Sequence, residues 1–181
     1  MYPTDPQEAV ARWLQDVVIG LNLCPFARKP FLSNAVRIHV VDAQAEVLIL
    51  EALRAELAFL TAHPELETTL IVLTQALGDF LQYNDFLHFI EDWLWQNEYE
   101  GVYQVASFHP HYCFADTAAD DVENFTNRAP FPLLHILRED SLEELLARYP
   151  DADEIPFNNI RRLKQLSQEQ LRGLFPYISQ P

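Results

Sequence analysis

The chain has 181 residues, of which 49% are hydrophobic and 22% charged, and its formal net charge is −15. That length suits one domain with a sizeable core, and that composition suits a soluble globular protein. A surplus of negative charge repels a phosphate backbone, which argues against nucleic acid as a partner and is otherwise a solubility feature.

The N-terminal Met1-Tyr-Pro-Thr-Asp-Pro-Gln-Glu8 has neither the basic nor the apolar region of a signal peptide. No apolar run reaches the ~18 residues that a membrane span requires. Two cysteines, Cys24 and Cys113, fit free thiols in a reducing compartment, so a cytoplasmic location is expected. Only four glycines, no Ser/Gly tract and no internal repeat point to a single domain over residues 1–181.

Helical and strand signals alternate along the chain. Asp5-Pro6-Gln7-Glu8 reads as a capping box with proline at the first helical position. Val10, Trp13, Leu14, Val17, Val18 and Leu21 follow at helical spacing, and Gly20 is a plausible stop. Leu21 to Ala27 is irregular, because Pro25 disfavours helical backbone at Cys24. A strand is expected over 35–41, a helix over 45–62, and a buried, β-branched strand over 68–74. A third helix over 79–98 carries Tyr83, Phe86, Leu87, Ile90, Trp93 and Leu94 on one stripe, which could line a cavity or simply pack the core. A strand over 102–108, a short helix over 119–125 and a strand over 132–138 come next. Ser141-x-x-Glu144 and Ser167-x-x-Gln170 open two further helices. The pattern predicts an α/β domain with a roughly four-stranded sheet, mostly parallel or mixed, covered by helices.

Chemistry-bearing side chains concentrate between Ser107 and Arg138, which hold three of the six histidines and one of the two cysteines. Connections between strands are where sites form. His109, His111 and Cys113 stand at alternate positions; on a continuous strand they would share a face and, with Cys24 or His135, could bind zinc or iron. Their spacing matches no finger or ribbon pattern, and Pro110 interrupts the strand. Cys24-Pro25 is a second candidate: a helix starting at Pro25, with Arg28 and Lys29 nearby, would lower the thiol pKa, although free cysteines are usually buried and inert. A Cys-Pro dipeptide alone is too short a signal for haem.

Asn124, Asn127 and Arg128 form a third group, suited either to a carboxylate or phosphate or to pairing with Asp120, Asp121 or Glu123. His135 lies on an apolar strand face, a common place for a core histidine. Arg138 stands at that strand's carboxyl end, where open α/β sheets bind ligands. No glycine-rich phosphate loop and no Gly-x-Ser-x-Gly occurs.

Trp13-Leu14 through Val18-Ile19-Gly20-Leu21-Asn22-Leu23-Cys24-Pro25-Phe26-Ala27, the run Phe80 to Leu87, and Phe108-His109-Pro110 resemble a bacterial family, the domain of unknown function 1415. Asn124, Thr126-Asn127-Arg128, Pro130, Pro132, His135 and Leu137-Arg138-Glu139 extend the resemblance over nearly the whole chain. It implies one soluble α/β domain and brings no known activity. After His109-Pro110 the family pattern usually reads Asp-Tyr-Gln-Phe-Ala, so His111 and Cys113 are departures. A metal site built on them would be peculiar to this chain.

Three readings follow. The first is an enzyme acting on a small anionic molecule, with Cys24 as nucleophile or redox thiol, His109 as general acid/base, and Asn124, Asn127, Arg128, His135 and Arg138 binding substrate. The second is a non-catalytic binding or interaction module, and the third a metalloprotein using His109, His111 and Cys113. No cofactor and no oligomeric state can be assigned from the residues.

Overall fold

The computed structural model describes residues 2–178. Helix α1 (Pro6–Trp13) begins as its sequence dictates: Pro6 stands in the first turn and the Asp5 carboxylate accepts from the Glu8 amide at 2.9 Å. It widens into a π-helical turn over Leu14–Ile19, in which the Gly20 amide reaches back to the Gln15 carbonyl at 2.9 Å. This wider turn directs Leu14, Val17, Val18 and Ile19 inward together. A Cβ at Gly20 would stand 2.2 Å from the Asp16 carbonyl oxygen, so the turn needs glycine there. Asn22 then adopts a left-handed conformation (φ 52°), which asparagine tolerates.

The short helix α2 (Arg28–Leu32) starts three residues after Pro25, so Cys24 does not cap a helix. Strand β1 (Val36–Val41), helix α3 (Glu46–Ala62) and strand β2 (Thr68–Leu73) form a parallel unit. Helix α4 (Phe80–Gln96) leads to β3 (Tyr103–Phe108). A long connection with a 3-10 turn over Val122–Thr126 leads to β4 (Leu133–Arg138). The sheet order is β1-β2-β4-β3, and β4 runs antiparallel to both neighbours, so the sheet is mixed.

Alternation of side chains divides the core into two layers. Val41, Ile71, Leu73, Leu134 and Ile136 meet α3 and α4, where Tyr83, Phe86, Leu87, Ile90 and Leu94 are core residues and line no cavity. Leu70, Val72 and Leu133 meet α1 and the C-terminal helices. Helix α5 (Glu139–Arg148) starts two residues before Ser141 and has no buried residue. Helix α6 (Ile155–Lys164) has no counterpart in the sequence reading; its Asn159 and Arg162 bond the Leu23 and Leu21 carbonyls. Helix α7 (Gln168–Leu174) carries the expected Ser167/Gln170 capping box. Among the described residues no helix is long and apolar enough to cross a membrane.

Candidate functional site

The sheet face toward α1 is not fully packed. Ala106 on β3 stands directly across from His135 on β4, and the small side chain leaves a space that a larger one would fill. The result is a cavity of about 230 Å³. Val36, Thr68, Leu70, Ala106, Phe108, His135 and Leu137 form its floor. Trp13, Leu14, Val18 and Ile19, then Cys24, Phe26, Ala27, Pro30 and Phe31, form its roof; Leu142 and Leu145 of α5 close one side. Trp13 is fixed there by its indole N–H, which donates to the Arg128 carbonyl at 3.0 Å, and by the edge of Phe108.

His135 is the unusual member of this wall. Its Nε2 is sealed from solvent and has no hydrogen-bond partner among the described residues. Its ring lies beside that of Phe108, at a centroid distance of 6.0 Å. Burial alone pushes its pKa down to about 4, so the imidazole is neutral near pH 7. An unsatisfied buried polar group costs roughly 1–3 kcal/mol.

Cys24 is half-buried on the same wall. Burial raises its thiol pKa, and the Phe26 and Ala27 backbone amides oppose this only in part. Without a helix N-terminus at Pro25 the expected lowering does not occur. The sulfur is a protonated thiol at neutral pH, the less nucleophilic form.

His109 lies on the α4 side, against Phe80 and Tyr83, and does not line the cavity. Both ring nitrogens are engaged: Nδ1 accepts from the His111 amide at 2.9 Å, so Nε2 carries the proton and donates to the Leu77 carbonyl at 3.0 Å. Burial, the largest influence, lowers its pKa to about 4. Cys24 in the roof and His135 in the floor thus line one cavity, and His109 does not.

The amide and guanidinium groups of the long connection are occupied by backbone. Asn124 is fully buried; its Oδ1 accepts from the Phe114 amide and Thr117 Oγ1, both at 2.9 Å, and its Nδ2 donates to the Ala118 carbonyl at 2.7 Å. Asn127 Nδ2 donates to the Ser107 carbonyl at 3.2 Å. Arg128 donates to the Tyr112 and Ala119 carbonyls and stacks on Phe125 at 4.4 Å. Asp120, Asp121 and Glu123 do not pair with it: among the described residues no carboxylate lies within 4.0 Å, and Glu123 meets Lys164 instead. Arg138 touches the cavity wall, but its guanidinium donates to the Leu60, His63 and Leu66 carbonyls and to the Tyr103 hydroxyl.

Among the described residues no three His, Cys, Asp or Glu side chains are grouped to hold a metal ion. The Cys113 sulfur faces Thr117, with its Oγ1 at 3.5 Å, and His111 is exposed. A second depression, a polar groove of about 490 Å³, borders the roof and is lined by Asn22, Pro25, Tyr149 and the α6 residues Asn158, Asn159, Arg161 and Arg162. Sequence reading missed it because it assigned no helix between Ser141 and Ser167 beyond the one opening at Ser141. The cavity-lining Trp13, Phe26, Phe108, Leu142 and Leu145 carry no chemical signal that separates them from core.

A four-stranded mixed α/β domain with an apolar cavity and an unpartnered imidazole nitrogen in its wall is thus the class of molecule the fold and site define. The chain belongs to the family described as "Protein of unknown function (DUF1415)", which it matches over residues 5–173. No curated protein matches it. No solved structure matches it either.

Proposed function

We propose that the protein binds a small, largely apolar molecule in the cavity between α1 and the sheet, oriented by one hydrogen bond to His135. The observation that carries this reading is the His135 imidazole on the cavity wall, sealed and without a protein partner. A ligand hydroxyl or carbonyl that met it, once the ring turned this nitrogen toward the cavity, would recover the cost of that unsatisfied group, while apolar burial would supply most of the affinity. A cavity of about 150 Å³ accommodates benzene, so 230 Å³ suits roughly nine non-hydrogen atoms.

Binding is better supported than covalent catalysis. The thiol of Cys24 is held protonated and His135 is held neutral, the reverse of an activated thiolate–imidazolium pair. The small anionic ligand suggested by sequence loses its expected clamp, since the Arg128 and Arg138 guanidinium groups serve backbone carbonyls. A neutral body in the cavity fits the lining better.

The test is calorimetric titration with 4-ethylphenol and its hydroxyl-free counterpart 4-ethyltoluene. The phenol is expected to bind about tenfold tighter, the worth of one good hydrogen bond, and His135→Phe to abolish that preference. No binding of either compound, or a preference unchanged in His135→Phe, would sink the reading.

A further inference from the structure

Phe26 is the partition between the two depressions. One side of it faces the cavity, and its ring meets Tyr149 edge-on at 5.3 Å, where Tyr149 lines the polar groove. Its neighbour Pro25 lines that groove and also a third, shallow depression bounded by Arg28 and Lys29. Four of the chain's 12 Lys and Arg residues therefore surround Pro25, in a protein of net charge −15. An electropositive mouth on an acidic surface concentrates anions locally.

We infer that the ligand is an amphiphile: a short alkyl or aryl tail lies in the cavity, and an anionic head, carboxylate or phosphate, lies in the groove beside Arg161 and Arg162. This rests on the cavity reading above and adds the second half of the ligand. The groove's amide side chains, Asn158 and Asn159, supply donors beside the cations. Arg161 is partly engaged, by Asn158 at 2.6 Å and by Glu154 at 3.4 Å, but the Glu154 contact is exposed and exchanges readily for another anion. Arg162 holds the Leu21 carbonyl with one nitrogen. On the cavity wall itself the charges of Glu67 and Arg138 offset one another, and the Arg138 guanidinium is taken up by carbonyls and the Tyr103 hydroxyl, so the interior gives an anionic head less than the groove does.

Passage between the two spaces requires the Phe26–Tyr149 contact to part. Tyr149 follows α5, which has no buried residue and whose one ion pair among the described residues, Arg148–Glu144, is internal to it. The helix is thus a cover that can shift without unpacking the core.

Titration of octanoate and 1-octanol, which share a tail, separates the two claims. Octanoate is expected to bind about fivefold tighter than 1-octanol at low ionic strength, with the preference falling toward one at 0.5 M salt and in Arg161→Gln, whose exposed position leaves folding intact. If 1-octanol binds and octanoate binds no better, the head-group site is wrong while the cavity reading stands. If neither binds, both are wrong. A preference that persists at high salt and in Arg161→Gln would also overturn the assignment.

Discussion

Arg138 illustrates how a polar residue in a motif serves the fold. Its guanidinium collects the Leu60 and His63 carbonyls at the end of α3, the Leu66 carbonyl in the following loop and the Tyr103 hydroxyl on β3. A cation there complements the helix C-terminus and gives the Leu60 and His63 carbonyls a second donor beside the His63 and Leu66 amides. Arg138→Ala is expected to lower unfolding free energy by about 2–4 kcal/mol in urea titration, and Arg138→Lys to recover little of it, because an ammonium cannot span four acceptors. Asn124 behaves alike: its buried amide closes the 113–118 loop with three hydrogen bonds to Phe114, Thr117 and Ala118. Asn124→Ala is expected to cost about 2–3 kcal/mol and to speed Cys113 alkylation, since the Cys113 sulfur packs in the same loop. Unchanged alkylation would show that the loop is held by other contacts.

At the scale of elements, the α1 π-turn and α5 are opposites. The π-turn is over-determined by Trp13, three consecutive buried residues and the glycine that lets Asp16 approach. Gly20→Ala forces a Cβ against that carbonyl, and the roof segment from Leu21 to Phe26 must move with it. Thermal unfolding of this variant is expected several degrees lower, with a loss of about 1–3 kcal/mol, and weaker ligand binding than its stability alone explains. Helix α5 is amphipathic but contributes only the partly exposed Leu142 and Leu145 to the cavity edge. Its amides are expected to exchange with solvent far faster than those of α3, whose Ile49, Leu53, Leu57 and Leu60 are fully buried. Equal protection of the two helices would rule out α5 as a movable cover. Occupation of the cavity is expected to slow α5 exchange selectively.

For the whole molecule, two buried histidines set the response to acid. His109 and His135 both have pKa values near 4 in the folded state, against about 6.5 when unfolded. The unfolded chain therefore binds more protons between those values, so stability is complete above about pH 6.5 and is lost as pH falls toward 4. Loss of negative charge near the pI of 4.6 acts in the opposite direction by relieving repulsion. Comparing variants cancels that shared effect. His135→Leu is expected to reduce the slope of stability against pH by about 1.4 kcal/mol per unit around pH 5, the contribution of one proton. An unaltered slope would mean that His135 is protonated in the folded state and that its ring has found a partner.

Periodicity and local turn chemistry made much of the scaffold legible: the Asp5 cap, the Ser167/Gln170 box, four strands and the α3 and α4 helices all follow from contacts within a few residues. Helix α6 is amphipathic and buries Leu163, but its role at the site was not legible, because Asn159 and Arg162 meet the Leu23 and Leu21 carbonyls more than a hundred residues away in sequence. The motif residues were visible as types but not as roles. His109, Asn124, Asn127, Arg128 and Arg138 stand out in sequence as chemistry, yet each spends polar atoms on backbone groups, and Asn124 and Arg138 also on the Thr117 and Tyr103 hydroxyls, that the folded chain brings near. His135 looked like an ordinary core histidine, and what distinguishes it is the lack of a partner, a property of its surroundings. The sequence by itself determined the elements and the chemical inventory. Only the tertiary structure decided which polar group was left over, because satisfaction is a three-dimensional count of donors against acceptors.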